Sequence, residues 1–112
     1  MSQTEQGDLQ ELRWKGDLNA ASAPELRRQL EALLEKGSNR LLLDLEGVGF
    51  VDSSGLSALI GVLKAARAEG GNLALVHVQP QVRSILQLTR LDRVFDCFDD
   101  AAAAAKALGG SS

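Results

Sequence analysis

Between Arg40 and Lys64 the chain changes its hydrophobic period once. Leu41 to Leu45 is a short, dense apolar run, the pattern of a strand buried on both faces. A second apolar piece, Val48 to Val51, leads into the polar knot Asp52-Ser53-Ser54-Gly55. Beyond it Leu56, Leu59, Ile60, Leu63 and Ala66 recur at helical spacing. This predicts a helix over about Gly55 to Glu69, apolar around much of its circumference and therefore well buried. The first N–H groups of a helix have no partner within it, and an Asp or Ser oxygen can accept from them. A carboxylate and two hydroxyls thus sit at the positive end of a helix, directly after a buried strand.

The remaining pattern fits around that unit. Residues 1–8 are polar and are expected to fray. Leu9, Leu12 and Trp14 suggest an edge strand, with Gly16 turning the chain into a second short strand around Leu18. Asn19 to Pro24 supplies cap residues and a proline suited to a first helical turn, and Leu26, Leu30, Leu33 and Leu34 share one helical face until Gly37. Leu73 to Val78 reads as a strand after Gly70 and Gly71. Pro80 opens a helix carrying Val82, Ile85, Leu86 and Thr89. A short strand near Val94 to Phe98 precedes the alanine-rich helix Ala101 to Leu108, and Gly109 to Ser112 is a flexible tail.

The expected order is β-β-α-β-α-β-α-β-α. It is an α/β fold with a mostly parallel central sheet of about five strands and about four helices. A strand or two at the sheet's edge is expected to run the other way. In open α/β sheets, ligands and modifications gather at the carboxyl ends of the strands, where the Asp52 knot falls.

Composition narrows the functions. The 112 residues are expected to form a single domain, 1–112, with its core at about 9–108. The net charge of −3 comes with no Lys/Arg cluster, which argues against a nucleic-acid partner. Arg27, Arg28, Lys36 and Arg40 alternate with Glu25, Glu31 and Glu35, the pattern of a solvated helix face. Cys97 is the only cysteine, so no internal disulfide can form. The N-terminus has no apolar signal core, and no apolar run reaches the roughly 18 residues needed to span a bilayer. A cytoplasmic protein with no direct membrane insertion is the expectation, and a small acidic domain is most simply a monomer.

Catalytic chemistry has little to stand on. His77 is the sole histidine and lies in an apolar strand, so no triad or metal set of usual spacing is legible. The glycine pairs match neither the phosphate-binding loop nor the dinucleotide fingerprint. No enzyme, cofactor or metal is expected. His77 reads as a strand residue and Cys97 as a small apolar filler. Asp52-Ser53-Ser54-Gly55 has two readings. One is a helix cap. The other is a phosphoacceptor, where a phosphate would be tolerated by the dipole and would alter a partner-facing surface without unfolding the helix. On spacing alone Ser53 and Ser54 are both candidates.

From about Leu9 to Leu108 the chain resembles the STAS domain of bacterial anti-sigma factor antagonists. The resemblance is carried by Gly16-Asp17-Leu18 with Pro24 and Leu26, by Leu42-Leu43-Asp44-Leu45, and above all by Phe50-Val51-Asp52-Ser53-Ser54-Gly55-Leu56. Gly70-Gly71-Asn72-Leu73, the segment Leu88 to Phe95, Phe98 and the alanine-rich end follow in the same order. The resemblance implies that Ser53 is phosphorylated by an anti-sigma factor that is itself a serine kinase. The unphosphorylated form would bind that kinase and free a sigma factor, and a PP2C-type phosphatase would restore the hydroxyl. It also implies a partner surface made of Asp17, Asn19, Asp52, Ser53, Ser54, Gly55 and Leu56. The family often carries two acids around the Gly16 turn, where this chain has Asp17 and then Asn19. The alternative is a STAS subunit of an ABC-type lipid transporter that binds its cytoplasmic ATPase.

Overall fold

The computed structural model describes residues 9–107. The start expected to fray (residues 1–8), Leu108 and the tail expected to be flexible lie outside them. Strand β1 (Leu9–Lys15) is followed by helix α1 (Ala23–Glu35), β2 (Arg40–Gly47), α2 (Ser53–Ala68), β3 (Asn72–Val76) and α3 (Pro80–Leu88). A 3-10 turn (Leu91–Arg93), β4 (Asp96–Phe98) and α4 (Ala101–Ala105) complete the order.

Among the described residues the sheet has four strands in the order β1-β2-β3-β4, and all three pairings are parallel. This revises the expected edge strand of opposite direction and brings about five strands to four. The difference arises at Gly16. With φ +100° it kinks the chain but does not reverse it. The β1–β2 register shifts after Arg13, and Leu18 then meets Val51 in one isolated parallel bridge. The second strand expected around Leu18 is that single rung, continuing β1. Near the other end, Val94 and Phe95, expected within a strand, lie outside β4, because the 3-10 turn leads into a strand of only three residues. His77, at φ 55°, ends β3 one residue after Val76, short of the expected Val78.

Sequential parallel strands joined by right-handed crossovers place α1, α2 and α3 on one face of the sheet. The alternation of β2 matches this arrangement. Leu41, Leu43 and Leu45 enter the main core with Leu26, Leu30, Leu59, Leu63, Leu73, Leu75 and Phe95. Leu42 faces the other way and packs with Ala74, Val76 and Ala104 beneath α4. The leucine run therefore serves two cores, and α2 is apolar over much of its surface because the sheet and α1 both cover it. No helix among the described residues is long and apolar enough to cross a membrane.

Candidate functional site at the start of helix α2

Asp52 is the N-cap of α2. Its backbone is extended (φ −101°, ψ −172°), and a carboxylate oxygen accepts from the Gly55 N–H at 3.0 Å. The Asp52 carbonyl accepts from the Leu56 N–H at 2.9 Å. These bonds leave the N–H groups of Ser53 and Ser54, the first two residues of the helix, open by helix geometry. Ser53 is exposed and Ser54 half-buried, so both hydroxyls lie at a helix start, with Ser53 the more accessible.

The loop after β1 is bound directly to this turn. The Leu18 N–H donates to the Phe50 carbonyl at 2.9 Å, and the Asp52 N–H donates to the Leu18 carbonyl at 3.0 Å. Asp17 is thereby held near the helix start with its side chain exposed. Asn19 is spent on its own turn. Its side-chain oxygen accepts from the Ala21 and Ser22 N–H groups at 2.9 and 3.1 Å, and its N–H donates to the Ser22 hydroxyl. That hydroxyl donates in turn to the Asp17 carbonyl at 2.7 Å. An amide at this position organises the entry to α1. Gly55 and Leu56 are buried, Leu56 within the main core. They support the turn from beneath, whereas the resemblance implied a place for them on the partner surface.

Tertiary structure adds residues that periodicity did not single out. A cleft of about 480 Å³ opens between α1 and α2, lined by Ala23, Pro24 and Arg27 on one side and Ser53, Ser54 and Ser57 on the other. Phe50, in the loop leading to Asp52, is 47% exposed despite its size. The sequence signal for Phe50 was its place inside the motif. Arg27 and Ser57 had none, because each reads as an ordinary polar position on an amphipathic helix.

Elsewhere, a buried carboxylate gathers charge on the α4 side of the sheet. Asp44 is only 1% exposed. One oxygen accepts from the Glu46 N–H at 2.9 Å, and the other lies 3.2 Å from His77 Nδ1 and 3.5 Å from Arg13 Nε. Asp44, Glu46 and His77 bring metal-ligating atoms within 4.8 Å of one another, although the sequence offered no such set. The Arg13 guanidinium, itself 65% exposed, faces the same carboxylate oxygen and supplies it with a counter-charge. Cys97 is half-buried, and burial pushes its thiol up, disfavouring the reactive thiolate; nearby Arg83 opposes the shift, while Asp96 and Asp92 add to it.

A family model for the STAS domain matches residues 2–104. The anti-sigma-B factor antagonist of Bacillus subtilis is 32% identical over 81 residues, covering 72% of this chain and 73% of its own. The crystal structure of the Thermotoga maritima protein tm1081 superposes with a TM-score of 0.85 at 30% identity, over 90% of this chain and 87% of that one. The Bacillus cell fate determinant SpoIIAA, solved in a phosphorylated form, shares the fold with a TM-score of 0.66 at 20% identity, over 87% and 88% of the two chains.

Proposed function

This chain belongs to the STAS domain family, and we propose that it is an anti-sigma factor antagonist whose hold on its partner is switched off by phosphate on Ser53. The observation that carries this reading is the exposed Ser53 at the first position of a capped helix, beside an exposed Asp17. The Bacillus subtilis relative supports the antagonist role, and the phosphorylated form of SpoIIAA supports a phosphate on this fold.

In this reading the partner is an anti-sigma factor serine kinase. The Ser53 oxygen attacks the γ-phosphorus of ATP, the bond to the β-phosphate oxygen breaks, ADP leaves, and the hydroxyl proton passes to solvent or to a base on the kinase. A PP2C-type phosphatase reverses the change by hydrolysis, returning the hydroxyl and releasing inorganic phosphate. The phosphate brings a charge of about −1.5 to −2 to a helix start whose open N–H groups tolerate it. The helix persists, and the surface presented to the partner becomes more negative and changes shape.

Phosphosite mass spectrometry on the protein isolated from its own host, beside a Ser53→Ala control, tests the assignment. Phosphate on Ser53 that disappears in the variant is the expected result, and phosphate on Ser54 would move the acceptor by one residue. A pull-down is expected to recover a small serine kinase, with Ser53→Asp recovering much less. Recovery of a transporter ATPase, with no phosphate under any growth condition, would overturn the proposal in favour of a constitutive binding subunit.

A further inference from the structure

We propose that a phosphate on Ser53 is latched across the α1–α2 cleft by Arg27, so that phosphorylation fills the cleft as well as charging its rim. This rests on Ser53 being the acceptor. Arg27 supplies a cation to the lining that Ser53, Ser54 and Ser57 share. Its side chain is 52% exposed, and its Nε donates to a Glu31 carboxylate oxygen at 2.9 Å. Its guanidinium lies over Gly61, where a β-carbon would stand 3.3 Å from Cζ and Nη2. Ser54, Ala58 and Gly61 fall on one stripe of α2, so little side-chain bulk stands along the helix between the guanidinium and its N-terminus.

The chemistry favours an exchange of partners. An exposed Arg–Glu pair on a helix surface is weak, and water competes for both ends. A phosphate offers three strong acceptor oxygens and up to two charges, to which the planar guanidinium can donate in parallel. The neighbouring Arg28 is engaged differently, with two nitrogens on Glu25, whose other hydrogen bond comes from Gln29. Arg27 is therefore the cation placed to respond. Before modification it rests on Glu31 and the cleft is open; afterwards the phosphate and guanidinium occupy the cleft together. Phosphorylation then removes a docking recess in addition to adding repulsive charge.

The test uses the full chain made with phosphoserine incorporated at position 53 during translation. The readouts are the second ionisation of the phosphate by phosphorus NMR and the Arg27 Nε–H signal. Arg27→Gln is expected to raise the phosphate's ionisation by about half a unit, because an opposite charge nearby favours the dianion. Glu31→Gln, which removes the rival acceptor, is expected to lower it, and in the parent the Nε–H signal is expected to move when the phosphate is present. Equal ionisation in the parent, Arg27→Gln and Glu31→Gln, with an unmoved Nε–H signal, would overturn the latch. Because the phosphoserine is installed without any kinase, this outcome is independent of the host phosphosite mapping, which alone decides whether Ser53 is the natural acceptor.

Discussion

Gly55 and Leu18 meet so closely that a β-carbon on Gly55 would lie 2.8 Å from the Leu18 carbonyl oxygen and 2.9 Å from the Leu18 Cβ. Val51 Cγ1 would be 2.9 Å away on the same side. The absence of a side chain at Gly55 lets the first turn of α2 sit directly on the loop that carries Asp17 and Asn19. Gly55→Ala must push that loop and the helix apart. We expect a loss of about 1–3 kcal/mol, the usual range for overpacking, measured as a lowered urea midpoint. The same variant should bind the partner more weakly even where it remains folded.

Removing the cap tests the turn from the other side. Asp52→Ala gives up the carboxylate bond to the Gly55 N–H, leaving one more open donor in the first turn. The expected cost is about 1 kcal/mol in urea unfolding. Asp52→Asn keeps an acceptor oxygen and should recover most of it. If Asp52→Ala matched the parent, the carboxylate would have no structural part in this turn.

Asp44 offers a prediction away from the partner surface. Asp44→Ala strips Arg13 and His77 of their shared carboxylate and leaves the Glu46 N–H without its acceptor. We expect a loss of about 2 kcal/mol, below the usual cost of breaking a fully buried pair because Arg13 is 65% exposed. Arg13→Ala should cost under about 1 kcal/mol for the same reason. Urea unfolding of the two variants side by side checks both the sizes and their order.

On α1, hydrogen bonds from Arg28 and then Gln29, with the Arg28 charge behind them, hold the Glu25 carboxyl down at about 2. A carboxylate whose folded value is depressed stabilises the fold above its unfolded value and loses that contribution as pH falls through the folded one. Glu25 should therefore stay ionised well below the usual carboxylate range, and its small contribution should fade between about pH 4.5 and 2. Carboxyl carbon NMR should find this low midpoint. In Arg28→Ala the midpoint should move up toward the ordinary range.

Much of the local structure was legible along the chain. The Leu41–Leu45 run marked a two-faced strand because every residue of a central parallel strand meets a covered face, and both faces are covered here. The polar knot marked a helix start because unpaired N–H groups select oxygen-bearing side chains, and Asp52 caps α2 as that rule requires. The start came two residues earlier than expected, so both serines lie inside the helix. Leu56 reads both as the first apolar position of the helix and, through the resemblance, as part of the partner surface. Its burial follows from helical rotation, which turns the fourth residue of the helix inward.

The sequence by itself determined most of the strand and helix segments and that Ser53 would stand near a positive helix end, because hydrophobic period and capping are properties of neighbouring residues. Only the tertiary structure decided that the chain runs on past Gly16 parallel to β2, and that Leu18 seats Gly55. It alone brought Arg27 to share a cleft with Ser53 and carried His77 to Asp44 from 33 residues away. Those contacts depend on which strands become neighbours and on which face the crossovers lay their helices. That choice is made by burying both sides of the sheet at once, and no local stretch of sequence contains it.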